Sequence, residues 1–156
     1  SGEALNARFL LARHQRYVGE SDPAIASLRE LLPVFEQDYG AEDPRVLSLK
    51  TELAQALLDN GNANLEVRDL LDQAMNGWMS KDDPDAVSPA YTKLARAEWF
   101  NMNGEVLEAS RLIEQLVAPE SRANRQVKAA AKALQSGDAQ PSKLGSAGAG
   151  QIPGLL

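Results

Sequence analysis

His14 is the single histidine of the chain, so any histidine-based proton transfer or nucleophile activation has one residue to draw on. It sits among Arg13, Gln15 and Arg16 in a helical pattern, where a partly exposed surface role fits better than catalysis. No Gly-x-Ser-x-Gly elbow is present, nor a Walker or dinucleotide-binding glycine pattern. The chain has no Cys, which excludes disulfides and thiolate-held zinc. Asp82-Asp83 are a candidate pair for a metal, but they stand directly before Pro84, where carboxylates cap a helix. Calcium would need roughly six to eight oxygen ligands, more than this loop offers. These residues predict no enzyme, no metal site and no cofactor.

The elements that position these side chains read as helices. The clearest is Asp43 to Gly61: Asp43 caps, Pro44 takes the first helical position, and Asn60-Gly61 stops the helix. Val46, Leu49, Leu53, Ala56 and Leu57 recur between them at helical spacing. The same grammar flanks this stretch. Before it come Glu3–Val18, ended by Gly19, and a second helix opened by Ser21-Asp22-Pro23, running to about Tyr39 and closed by Gly40. Pro33 lies inside that second helix and should bend it. After it come Leu65–Met79, Val87–Met102 stopped by Asn103-Gly104, Glu105–Val117, and Ser121–Gln135. From Ser136 the composition turns to Gly, Ser, Ala and Pro, then ends on the apolar segment Gln151-Ile152-Pro153-Gly154-Leu155-Leu156. This reads as a flexible linker and tail. Docking of its apolar end into a groove of the same or a neighbouring copy is the sharper alternative.

Composition agrees. Hydrophobic residues make up 44% of the 156, aromatics only 5%, and Ala and Leu dominate, which favours packed helices over sheets. The net charge of −6 argues against nucleic-acid binding by bulk electrostatics. No apolar run approaches the roughly 20 residues that cross a bilayer, so no membrane insertion is expected. A helical, Cys-free domain fits a cytoplasmic setting. Ser1-Gly2 looks like a remnant of tag removal, which suggests an excised domain.

Three Leu-Ala pairs, Leu11-Ala12, Leu53-Ala54 and Leu94-Ala95, recur at intervals of 42 and 41 residues. Gly19 and Gly61 each follow their Leu by eight residues, whereas Gly104 follows Leu94 by ten, so the third copy has a longer helix or an altered turn. A repeat of this length means stacked helix pairs, none able to bury its face alone. The linkers Gly40-Ala41-Glu42-Asp43-Pro44 and Ser80-Lys81-Asp82-Asp83-Pro84 join the units. Over about residues 4–117 the chain resembles the tetratricopeptide repeat (TPR) family, in its long-period, kinesin-light-chain-like form, as also found in bacterial multidomain regulators. Glu66, Pro33 and the irregular third copy depart from the family pattern.

The resemblance implies an all-α, right-handed α-solenoid of about three TPR-like helix pairs with a C-terminal capping helix. It spans residues 3–135, and 136–156 form the tail. It also implies that the first helix of each pair lines a concave groove. The groove set is Asn6, Phe9, Arg13, Arg16 and Tyr17; then Ser48, Thr51, Gln55, Leu58 and Asp59; then Thr92, Arg96, Trp99 and Phe100. In this count Arg13, Gln55 and Arg96 occupy equivalent positions. Arg13 and Arg96 would hold anionic groups, Gln55 a peptide backbone, and Phe9 and Trp99 apolar side chains. The bland alternative pairs the arginines with carboxylates of adjacent helices, and Trp78 and Trp99 read first as core.

The expected function is therefore protein–protein interaction, with a peptide or partner subunit held in the groove. Acidic or C-terminal segments are the expected peptides, and self-association through the tail is a further partner mode. Two alternatives stand beside it. One is an oligomerisation element. The other is a C-terminal docking or sensor domain of a larger enzyme or regulator, such as a bacterial serine/threonine kinase or transcription factor.

Overall fold

A computed structural model describes residues 1–81 and 87–137. Seven helices lie in this part: α1 (Gly2–Tyr17), α2 (Ser21–Tyr39), α3 (Pro44–Asp59), α4 (Leu65–Met79), α5 (Val87–Met102), α6 (Val106–Val117) and α7 (Arg125–Ser136). No strand occurs among the described residues. The linker aspartates Asp82-Asp83 and the tail from Asp138 onward lie outside them.

Local chemistry sets most boundaries. The Asp43 carboxylate accepts from the Arg45 amide at 2.9 Å and from the Arg45 guanidinium, which lies 3.6 Å from the Tyr39 ring centroid. Asn64 and Asn124 cap α4 and α7 by accepting from Val67 N–H and Val127 N–H at 3.2 and 2.8 Å. This places the start of α7 at Arg125, four residues beyond the expected Ser121, because the cap lies at Asn124. The expected cap-then-proline start of α2 is also corrected. Glu20 holds the N-cap position without a side-chain bond, and the Asp22 carboxylate accepts from Asn60 Nδ2 at 2.7 Å instead. α6 likewise starts at Val106, one residue later than expected. α2 continues through Pro33 to Tyr39.

The first helices end alike. Glu20, Asn62 and Glu105 donate their amides to Gln15, Leu57 and Phe100 carbonyls, five residues back, at 2.8–2.9 Å. Gly19, Gly61 and Gly104 bond three residues back at 2.9–3.1 Å, and all three have positive φ. This double closure satisfies the last carbonyls and requires the left-handed region, which glycine enters without steric cost.

Each helix packs on its sequence neighbour, and first helices also touch first helices: α1 on α3, α3 on α5, α5 on α7. The second helices α2, α4 and α6 contact mainly the first helices beside them. α1, α3 and α5 thus form an inner row, and α7 takes the place of a fourth first helix against α5 and α6. One core cluster joins the first two pairs and part of α5, through Phe9, Leu28, Phe35, Leu49, Leu53, Leu71 and Tyr91. A second joins α5, α6 and α7 through Leu94, Ile113, Leu116, Val127 and Leu134.

The edge of the stack is visible in one repeat position. Leu53 is 2% exposed because α2 precedes it, whereas Leu11, its counterpart eight residues before the terminating glycine, is 58% exposed. Leu53→Ala should therefore cost about 2–5 kcal/mol and Leu11→Ala within about 0.5 kcal/mol in urea unfolding. Equal losses would contradict this assignment of the edge.

Candidate functional site

α3 is buried from Val46 to Leu58, including its polar residues. The polar side chains facing α1 and α5 are held in a network that excludes water. Arg16 of α1 donates through Nε to Glu52 Oε2 at 2.8 Å, through Nη1 to Asp59 Oδ2 at 3.3 Å and through Nη2 to Tyr91 Oη at 2.7 Å. The side chains of Arg16 and Glu52 have no exposed surface. One guanidinium thus joins three first helices. A second link is Gln55 Nε2, which donates to Glu98 Oε2 at 2.9 Å. A third is the Thr51–Thr92 hydroxyl pair at 2.8 Å, with Trp78 Nε1 donating to Thr92 at 3.1 Å.

Burial sets the protonation states. It disfavours the charge on Arg16, but Glu52, Tyr91 and Asp59 outweigh it and hold the guanidinium more firmly protonated than usual. Burial pushes Glu52 up, opposed by Arg16. The Tyr91 phenol is raised well above its ordinary range by burial, so it stays neutral. Burial raises Glu98 to about 8, with the Gln55 hydrogen bond opposing, the Asp59 charge adding and the Arg16 charge lowering it only slightly.

The expected site residues separate into two groups. Phe9 is wholly buried against Phe35, with ring centroids 5.9 Å apart. Arg16, Thr51, Gln55 and Thr92 are buried in the network. Trp99 is buried edge-on to Phe100 and donates Nε1–H to the Asn64 carbonyl at 2.9 Å. These six side chains present almost no surface. Asn6 and Arg13 are half-buried, Tyr17 is 61% exposed, and Arg96 is half-exposed but paired with Asp72 at 3.2 Å. Asn6 Oδ1 and Arg13 Nη1 are covered and have no hydrogen-bond partner among the described residues.

The equivalence of Arg13, Gln55 and Arg96 is corrected. α1, α3 and α5 each have 16 residues and end in the same closure, so the third copy has neither a longer helix nor an altered turn. Its Leu-Ala pair is displaced by two residues. Counted from the glycines, the aligned small residues are Ala12, Ala54 and Ala97, all fully buried. The aligned row is Arg13, Gln55 and Glu98, and the bond between the last two follows that register. Sequence reasoning missed Glu52, Tyr91 and Glu98 as functional partners of the row. The available signal was a charge set within apolar helical runs, such as Glu52 beside Leu53-Ala54.

No group of three or more His, Cys, Asp or Glu side chains that could hold a metal occurs among the described residues. No helix there is long and apolar enough to cross a membrane. Seven helices, an inner row of first helices and repeated glycine closures define a repeat solenoid. This architecture is matched by a crystal structure of Podosopora anserina putative kinesin light chain nearly identical TPR-like repeats. The identity is 23% and the TM-score 0.69, over 94% of this chain and 83% of that one. A point-substituted form of the same repeats matches at 22% identity and a TM-score of 0.67, over 93% and 82%. The chain has a TPR-like fold. No family model matches the sequence, and no curated protein matches it.

Two variants test the TPR-like inner row. Arg16→Ala leaves Glu52 buried without its partner and should cost about 3–5 kcal/mol in urea unfolding; a loss below about 1 kcal/mol would contradict the network. Glu98 titrates near 4.3 when unfolded but at about 8 when folded. The folded state therefore binds the extra proton, and stability falls as pH rises through this window. Glu98→Gln should remove that fall, gaining on the order of 2–4 kcal/mol relative to the parent between pH 5 and 9. Parallel pH profiles would exclude a buried, neutral Glu98.

Proposed function

We propose that this domain is a protein-interaction scaffold, without catalysis of its own, that holds a partner's peptide segment along the inner face of α1. The supporting observation is that Asn6 and Arg13 are only half-buried and Tyr17 is 61% exposed. Asn6, Leu10, Arg13 and Tyr17 form one stripe at helical spacing. Its counterpart on α3, Ser48, Glu52, Gln55 and Asp59, is shielded by the neighbouring first helices. Among the described residues, α3 is the first helix that the α1 stripe meets, and it packs on one side of it.

The chemistry suits an extended peptide. Asn6 Oδ1 accepts from a backbone N–H, and Arg13 donates to a carbonyl or carboxylate. Their helical separation of about 10 Å spans about three residues of an extended chain. Tyr17 offers an apolar ring with a polar tip. Gln55, Thr51 and Thr92 act here through the backbone spacing they fix, and Arg96 acts with Asp72 at a separate place between α4 and α5.

A second reading also rests on a particular observation. Ala4, Ala7, Leu11 and His14 on α1 are exposed, whereas the aligned Val46, Leu49, Leu53 and Ala56 on α3 are buried. A second copy stacking on this end would make the domain an oligomerisation element.

Peptides selected from a random library against the whole chain should slow amide exchange along α1. Arg13→Ala and Tyr17→Ala should each weaken them about tenfold without lowering the melting temperature. Undiminished binding in both variants would overturn the α1 site. Mass that rises with concentration, with no selected peptide, would favour the oligomerisation reading.

A further inference from the structure

The charge of this chain is unevenly placed. Residues 1–120 carry 11 Lys and Arg against 21 Asp and Glu, whereas residues 121–137 carry Arg122, Arg125, Lys128 and Lys132 and no acid. On α7 the buried face is Val127, Ala130, Ala131 and Leu134. Arg125, Lys128 and Lys132 stand on the opposite face with Ala129, at spacings of three and four residues. Together with Ala123 they line an open groove of about 420 Å³.

Six arginines of the acidic body are neutralised. Arg8, Arg29, Arg45, Arg68, Arg96 and Arg111 each have a carboxylate at 2.7–3.2 Å. Arg125, Lys128 and Lys132 have none among the described residues. A helix that only ends a solenoid needs a polar outer face, which mixed charges supply equally well. Three unpaired cations on one stripe, over an otherwise acidic body, are a local inversion of field.

We infer that the outer face of α7 is a second docking surface, which takes a short acidic segment of a protein partner. It lies at the opposite end of the stack from α1 and is independent of the site proposed there. The cations span about 10 Å along the helix, the reach of a few acidic side chains. Ala123 and Ala129 leave room for the partner's backbone to approach between them. A longer polyanion fits poorly. Duplex nucleic acid carries a charge every ~1.7 Å of its axis and would run past α7 onto the acidic body. Repulsion there acts within the Debye length of about 8 Å at physiological salt. A short segment meets only the basic stripe.

The test uses the whole chain and a fluorescein-labelled hexaglutamate peptide, followed by fluorescence anisotropy at low and physiological salt. The combined variant Arg125→Gln, Lys128→Gln and Lys132→Gln should bind about tenfold more weakly and lose most of the salt dependence. Arg8→Gln with Arg29→Gln, which removes paired cations elsewhere, should bind as the parent does. A hexathymidylate strand should bind more weakly than the peptide. Where circular dichroism shows the combined variant misfolded, Lys132→Gln alone carries the comparison, with a smaller loss expected. The inference is overturned by no peptide binding, by unchanged affinity in the α7 variants, by an equal loss in the Arg8 and Arg29 variant, or by equal or tighter binding of the oligonucleotide.

Discussion

The inner row of this solenoid depends on one guanidinium. Arg16 reaches from α1 into α3 and α5 and meets Glu52, Asp59 and Tyr91 where no water penetrates. A charge so placed is tolerated only when paired and hydrogen-bonded, because its desolvation costs several kcal/mol. That requirement constrains geometry far more than apolar contact does. Apolar contacts fix distances but few directions, whereas a fork of N–H donors also fixes orientation. The pairing therefore fixes the relative register of three first helices that local contacts alone would leave looser.

The same network explains why the middle of the inner row is a poor surface for ligands. Thr51, Gln55 and Thr92 are buried and bonded to neighbouring helices. Glu98, whose carboxyl is raised by burial, completes the contact with Gln55. Open polar surface lies instead on α1 and α7. Among the described residues, α1 meets first-helix packing from α3 alone, and α7 turns a basic face outward. A repeat protein is quasi-one-dimensional, so its terminal units differ from internal ones in exposure even where their sequences agree.

Much of the fold was legible in the sequence, because each helix carries its own start and stop chemistry. Asp43-Pro44 and Asn60-Gly61 bracket α3, and the structure places the helix between them. The misses were local competitions between caps. Asn124 prevailed over Ser121, and Asp22 bonded Asn60 in place of its own helix. The repeat register was less legible. Leu94-Ala95 matches the earlier pairs in letters, but the glycine closure at Gly104 sets the physical register and shifts it by two residues. Positions facing a neighbour depend on partners 36 to 75 residues away, as for Arg16 with Glu52 and Tyr91, and periodicity within one helix does not encode them. Periodicity identified the faces and left open which of them the next helix would cover.

The measurement that addresses the central claim most directly is a double-mutant cycle between Arg16 and Glu52, read from urea unfolding of the parent, Arg16→Ala, Glu52→Ala and the combined variant. A buried ion pair joining α1 to α3 predicts a coupling of about 1.5 kcal/mol or more, with the combined variant more stable than the sum of the single losses implies. Additive losses, with a coupling within about 0.5 kcal/mol of zero, would show that the two residues act separately and that the inner row is not held by this pairing.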